Sequence, residues 1–528
     1  MLRKNASLFF SLGIFVFLFS CGQRDQQLHT ESKKPNILFA ISDDQSYPYT
    51  SAYGSKTVST PYFDAIAKKG MLFNRVFCAA PQCSPNRAAI LTGKNIWQLE
   101  EAGTHASYFP KKFSVFTDQL EQGGYTLGYT GKAWGPGNWK DSGWSRNPVG
   151  PEYNEIKFDS VPTTGISKTD YAGNFKAFLD QRDSQKPFFF WYGAFEPHRV
   201  YEEGSGQLSG KTLASADVPP FLPDVPAVRN DILDYAREIE WFDTQLGKML
   251  QMLENLGELD NTIVIITADN GMAFPYAKAN LQEFGIHVPL AICGPGIQAD
   301  ITSSDLISHT DLAPTILELA GAQPLHNVSG RSFLGLLQGD HTYEPRMWIV
   351  AGRERHTHAR PDNLGYPARA IRTQDFLYIQ NLKPDRWPAG DPEIELLEKD
   401  EDGKEKIVMA PGYFDIDASP SKEFVRTHQI EFPQEFNLGF AKRPQEQLFD
   451  IKSDPGCLVN IEGQQQYKEI ENDLRIQLEK ILTAEKDPRM EGSEIFDSYP
   501  RVSPMRNFPG FKEQSTYNPA FQKNVQKN

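Results

Sequence analysis

Cys83 opens the run Cys83-Ser84-Pro85-Asn86-Arg87, a thiol set just ahead of a proline. A thiol without special surroundings is a modest nucleophile, so chemistry at this position needs help from other parts of the chain. Two acidic pairs, Asp43-Asp44 and Asp269-Asn270, offer four oxygen donors from points far apart in sequence. Oxygen-only ligation suits a hard divalent cation, calcium before magnesium, and not zinc. Taken singly, each of these features has a plain structural reading. Each acidic pair can cap a helix, each lysine can be a solvated surface charge, and Cys83 can be a buried residue before a Pro-initiated helix. Their combination carries the argument.

The elements that must position these residues are legible from apolar runs. Asn36 to Ile41 is continuous in apolar residues and leads into Ser42-Asp43-Asp44. Thr262 to Thr267 repeats the arrangement before Ala268-Asp269-Asn270-Gly271, and Phe188 to Tyr192 runs into Glu196-Pro197-His198-Arg199. Such runs predict parallel strands buried on both faces. Helix-like stretches lie between them, Tyr235 to Glu254 among them. The alternation predicts an α/β fold with a doubly wound sheet, whose ligand sites gather at strand carboxyl ends. All three polar clusters fall there. After about Asp391 the pattern changes to a charged loop (Glu395 to Lys406), a short strand at Gln447 to Ile451 and a helix near Tyr467 to Leu482. This predicts a smaller C-terminal α+β subdomain over 391–528, ending in an irregular tail, after a main domain over 35–390.

With 528 residues, 39% hydrophobic and 23% charged, the chain is an ordinary globular protein, too long for one core. Its first residues stand apart. Arg3 and Lys4 precede an apolar run, Leu8 to Phe19, that is too short to span a bilayer and reads as a signal peptide over 1–20. Leu18-Phe19-Ser20-Cys21 resembles a bacterial lipoprotein signal, which implies a lipidated Cys21 and a tether over 21–34. The protein is therefore expected outside the cytoplasm, lipid-anchored to the bacterial cell envelope (outer membrane, periplasmic or surface face) or, with ordinary signal cleavage, free in the periplasm. Removing residues 1–20 takes away Arg3 and Lys4 and no acid, so the formal charge moves from −14 to −16. That balance excludes nucleic acid as a partner, since no basic stripe exists to displace counterions. Cys78, Cys293 and Cys457 show neither zinc-ligand spacing nor a disulfide framework.

The run from Cys83 through Arg87, followed by Ala88-Ala89-Ile90-Leu91-Thr92-Gly93, resembles the maturation signature of the formylglycine-dependent sulfatases. The resemblance extends through Gly123-Gly124-Tyr125, Gly131-Lys132 and Ser308 to Thr315, in the family's order. It implies the alkaline-phosphatase-like version of the α/β fold. It also implies that a cytoplasmic maturation enzyme oxidises Cys83 to formylglycine (3-oxoalanine). One hydroxyl of the hydrated aldehyde would attack sulfur, and the other would eject sulfate. The same resemblance assigns Asp43, Asp44, Asp269, Asn270 and the modified Cys83 as ligands of Ca2+. It makes Arg87 the partner of the formylglycine, Lys132 and Lys278 the sulfate-binding cations, and His198 the proton donor to the leaving oxygen.

Two positions depart from the family pattern. Asn86 stands where Ser or Ala is common, and Trp134 stands where a histidine often follows the first lysine. The layout around Lys132, Phe274-Pro275 and Asn280-Leu281 looks nearest to the heparan N-sulfatase branch. It implies a sulfated glycan as substrate, with His105, Arg353, Arg355, His356 and His358 as candidate contacts to the sugar. Three alternatives stay open: a sulfamidase, a phosphate or phosphonate hydrolase of the same superfamily, and an inactive glycan-binding lipoprotein.

Overall fold

Strand β1 (Asn36–Ser42) is completely buried, and its side chains divide cleanly between two cores. Ile37, Phe39 and Ile41 pack with Ala88 to Leu91 of helix α2 (Cys83–Thr92), the helix that follows α1 (Pro61–Lys69). Leu38 and Ala40 pack on the other side with Phe242, Leu246 and Met249 of the long helix Pro226–Asn255. Period-two alternation along a strand sends neighbours to opposite faces, so a strand apolar at every position must be covered twice. Each large apolar side chain buried this way contributes about 1.5–3 kcal/mol.

The protein is described from a computed structural model over residues 33–360 and 364–502. The signal peptide, Cys21 and the tether lie outside these residues, except for the tether's last two positions. The main sheet has eight strands: β1, β2 (Met71–Phe77), β3 (Thr126–Gly131), β4 (Phe188–Gly193), β5 (Thr262–Ala268), β6 (His287–Cys293), β7 (Ile301–Ser303) and β8 (Ile307–Ser308). Their order is β3-β4-β1-β5-β6-β2-β7, with β8 also paired to β2. β3, β4, β1 and β5 are mutually parallel, so the segments bearing Lys132, His198, Asp43-Asp44 and Asp269-Asn270 all leave the sheet at one edge. β6 runs antiparallel to both neighbours. The connection 269–286 holds only a single helical turn (Glu283–Ile286), and without a crossover helix the chain cannot return parallel.

A second, antiparallel sheet has the order β14-β11-β10-β9, formed by β9 (Ile349–Arg353), β10 (Ala368–Arg372), β11 (Phe376–Asn381) and β14 (Glu446–Asp450). Leu474, Leu478, Ile481 and Leu482 of the helix Lys468–Ala484 cover it, a helical stripe of one face. Three of these strands precede residue 391 and one follows it, and the described chain from Lys34 onward forms a single unit. The charged stretch read as a loop is in fact a hairpin, β12 (Glu393–Lys399) with β13 (Glu405–Pro411). Exposed acids and lysines mask its β character, yet Ile394 is buried on one face of the ribbon. No helix among the described residues is long and apolar enough to cross a membrane.

Candidate active site

Cys83 is the first residue of α2 and is fully buried. Its Sγ lies 3.3 Å from Asp43 Oδ1 and 3.9 Å from Asp44 Oδ1. Ligand atoms of Asp43, Asp44, Cys83 and Asp269 all fall within 4.8 Å of one another. Burial and the Asp43 carboxylate push the Cys83 thiol well above its ordinary range, so it is held protonated. A thiol in that state is a poor nucleophile as it stands.

The carboxylates meet three cations. Lys132 Nζ pairs with Asp43 Oδ2, Lys278 Nζ lies 2.6 Å from Asp44 Oδ2, and Arg87 Nε lies 2.8 Å from Asp269 Oδ2. Burial opposes ionisation of Asp43, yet Lys132, His198 and Arg87 outweigh it and hold the carboxyl well below its usual range. Asp269 moves the other way, pushed up to about 6 by burial and by the Asp43 carboxylate against the pull of Arg87. Three crowded carboxylates thus meet three organic cations, one to each. Asn270 Oδ1 is buried without a hydrogen-bond partner, while its amide donates to Asp44 Oδ1 at 2.7 Å. Asp44 has φ 68°, a left-handed conformation costly for a non-glycine residue. An unmet oxygen beside crowded carboxylates is the donor set of a hard cation, and these residues fit one.

The remaining groups are fixed from behind. Arg87 Nη1 donates to the carbonyls of Lys132 (2.7 Å) and Ala133 (3.0 Å), while Nη2 is buried with no partner. His198 Nδ1 lies 2.6 Å from the Arg199 carbonyl, which can only accept, so Nδ1 carries a proton and Nε2 faces Asp44 Oδ2 at 3.8 Å. The loop is braced on both sides of this histidine. Glu196 accepts from Tyr171 Oη and the Ser167 amide, both at 2.8 Å, and Arg199 grips Asp231 with both Nη atoms at 2.7 and 2.8 Å.

Asn86 and Trp134 have structural reasons to depart from the pattern. Asn86 Oδ1 accepts from the Ala79 amide (2.8 Å), and its Nδ2 faces the Asp269 carbonyl and His309 Nδ1. It thereby ties α2 to the end of β5. His309 is pressed down to about 3 by burial and stays neutral. Trp134 donates from its indole to the Ser84 carbonyl at 3.1 Å and packs on Phe109, pinning the first turn of α2.

The candidate sugar contacts sit deeper than their sequence suggests. Arg353 and Arg355 are 2% and 1% exposed. Arg353 bonds Asp415 and the Pro388 carbonyl, and Arg355 bonds the Tyr499 and Pro500 carbonyls. His105 and His356 pack ring to ring at 4.8 Å, His105 Nδ1 lies 3.1 Å from the His356 carbonyl, and His358 is also buried. The structure adds one residue that the sequence reading passed over. Asp417 Oδ2 lies 3.2 Å from Lys278 Nζ, and its side chain is 27% exposed. The preceding hairpin brings it in from the C-terminal part, with no local motif to announce it.

The sequence profile of the Sulfatase family matches residues 35–322, more than half of the chain. An ulvan-active sulfatase of Formosa agariphila is 26% identical over 94% of this chain and 84% of its own length. The human N-sulphoglucosamine sulphohydrolase is 29% identical over 66% of this chain and 73% of its own. Among solved structures, BT4656 in complex with its substrate D-glucosamine-2-N,6-O-disulfate superposes with a TM-score of 0.61 at 20% identity. That likeness covers 88% of this chain and all of the other, and shows the shared fold.

Proposed function

We propose that this chain, which belongs to the sulfatase family and hydrolyses sulfate esters, acts on a sulfated polysaccharide or its oligosaccharides through a formylglycine made from Cys83. The observation that carries the reading is Cys83 at the carboxyl edge of the sheet, within ligand distance of Asp43, Asp44 and Asp269. The thiol occupies the position the aldehyde hydrate would take. When bound, a calcium ion held by Asp43, Asp44, Asp269 and Asn270 would supply positive charge and polarise the nucleophile. Lys132 and Lys278 neutralise the sulfate oxygens, exchanging their present carboxylate partners for the substrate's charge. Arg87, with its unmet Nη2, holds the modified side chain in place. In its doubly protonated form His198 gives the Nε2 proton to the departing sugar oxygen and keeps the one on Nδ1, which the Arg199 carbonyl holds.

Mass spectrometry of the tryptic peptide containing Cys83 tests this directly. Conversion of thiol to aldehyde lowers the mass by about 18 Da, as expected for a nucleophile that must be chemically activated. An unmodified Cys83 in active enzyme sinks the reading. The human relative supports a second version, in which sulfate is removed from nitrogen. Sulfate release from N-sulfated glucosamine and none from O-sulfated sugars would select it. We further propose that the chain is exported and tethered to the envelope through Cys21, which labelling with radioactive palmitate in wild type and Cys21→Ala tests.

A further inference from the structure

A cavity of about 720 Å³ opens where the main sheet meets the second one, using none of the residues assigned to sulfate or metal. Tyr47, Pro48, Pro220, Ile451 and Pro455 make its apolar walls. Its polar groups converge from three separate parts of the chain. Arg75 comes from β2, Arg372 from the end of β10, and Lys452 from the turn after β14. Pockets of this size at such junctions, apolar with a few placed polar groups, are the usual form of small-ligand sites.

The charges decide what kind of ligand fits. Arg372 is 3% exposed, and its Nε donates to Glu283 Oε1 at 2.6 Å while its Nη1 donates to the Thr373 carbonyl. Burial works against ionisation of Glu283, but Arg372 and His287 overcome it and bring the carboxyl down to about 2. Arg372 and Glu283 therefore cancel. Among the described residues the Arg75 side chain makes one hydrogen bond, from Nη1 to the Ser304 carbonyl at 3.1 Å, and neither it nor Lys452 is in an ion pair. The lining carries two carboxylates, Glu283, already matched by Arg372, and Asp375, against the three cations Arg75, Arg372 and Lys452. The pocket therefore carries a net positive charge on a chain of formal charge −14. Cations gathered locally on an acidic protein focus an anion to that place. The apolar walls suit the C–H faces of a sugar ring.

We propose that this cavity is a second, non-catalytic binding site for an anionic sugar unit of the glycan, a reading that rests on the polysaccharide sulfatase assignment. Arg75 and Lys452 pair with its carboxylate or sulfate, and the proline and tyrosine walls take its ring. The wall residue Tyr47 follows the metal-ligand loop by three positions, and its amide donates to the His287 carbonyl at 3.0 Å. A chain seated here would lie beside the loop that carries Asp43 and Asp44.

The test is titration calorimetry on Cys83→Ala and on Cys83→Ala/Arg75→Ala/Lys452→Ala, in which substrate is not consumed. The probes are sulfated hexasaccharides from ulvan and heparan sulfate, the same sugars desulfated and carboxyl-reduced, and inorganic sulfate. Two binding events are expected for a sulfated hexasaccharide with Cys83→Ala, one of them weakened about tenfold or lost in the triple variant and reduced by salt. An unchanged isotherm in the triple variant, or equal binding of the neutral sugars at this site, overturns the proposal. Binding of inorganic sulfate alone, without gain from the sugar, overturns the saccharide assignment. Arg75→Gln/Lys452→Gln in the active enzyme should leave hydrolysis of nitrocatechol sulfate unchanged. If the unmutated enzyme releases no sulfate from any ester, the sulfatase reading fails, while calorimetry still decides the cavity.

Discussion

Two buried charge clusters, one around Asp415 and one around Asp43, Asp44 and Asp269, behave oppositely. Around Asp415, Oδ2 accepts from Arg353 (2.9 Å) and faces Arg360 (2.7 Å), while Oδ1 accepts the Thr357 amide at 3.0 Å. Burial would raise this carboxyl, but Arg360, His356 and Arg353 drive it well below its ordinary value. Each oxygen is met, mostly by planar arginine forks that hold their geometry. The cluster at Asp43, Asp44 and Asp269 is unfinished. Two of its cations are lysines, point charges on flexible stems that can move to a new partner. Asn270 Oδ1 has no partner, Arg87 Nη2 has none, and Asp44 sits in a strained conformation. At Asp415 both carboxylate oxygens are met and the atoms left over are nitrogens, Arg353 Nε and His356 Nδ1, whereas the other cluster leaves a buried oxygen, Asn270 Oδ1, with its capacity to accept unused.

That contrast breaks down if the two clusters respond alike to mutation. Cys83→Ala is expected to abolish sulfate release with an unchanged melting temperature, measured by turnover of a nitrophenyl sulfate and by calorimetry. Asp43→Ala and Asp269→Ala should each lower kcat by about a thousandfold, as for loss of a charge-stabilising ligand, and should abolish bound calcium measured by elemental analysis. Full activity after exhaustive chelation, or stoichiometric zinc, contradicts the metal assignment. Asp415→Asn should do the reverse. It leaves Arg353 and Arg360 buried without a counter-charge, at a cost of about 3–5 kcal/mol in stability, read from denaturant unfolding.

His198→Ala sharpens the comparison within the open cluster. Sugar sulfates, whose alkoxide needs a proton, should lose about 10²–10⁴-fold in rate, and an activated phenyl sulfate much less. Equal losses would reduce His198 to a binding role. Asp417→Asn frees one side of Lys278 and should lower kcat/KM by about tenfold through misplacement of the ammonium. Asp417→Glu should recover part of it, and no change in either variant would make Asp417 a bystander.

A further test concerns Glu238, on the long helix. Burial, with the Glu196 carboxylate nearby, pushes it up to about 9. The folded protein then keeps a proton that the unfolded chain releases near its ordinary value. Stability contributed by this group therefore falls as pH rises from about 4 to 9 and levels off beyond. Glu238→Gln should raise the melting temperature at pH 8 and leave it nearly unchanged at pH 4. A rise of equal size at both values refutes the linkage.

The amino-acid sequence by itself determined the chemistry available and the edge of the sheet where it gathers. Cys83 to Arg87, Asp43-Asp44, Asp269-Asn270 and Glu196 to Arg199 are runs of neighbouring residues attached to strands whose apolar continuity is visible locally. Only the tertiary structure decided which cation faces which carboxylate, because Lys132 to Asp43 and Lys278 to Asp44 are pairings across long stretches of chain. The same holds for β6, whose direction depends on what its connection lacks, and for the hairpin β12–β13, whose charged surface hides its pairing. Arg353 and Arg355 read from sequence equally as contacts to a sugar or as part of a charged turn. Their fate was set by Asp415 and by the Tyr499 and Pro500 carbonyls, dozens of residues away, since burial and partnership belong to the packed chain and not to the residue type.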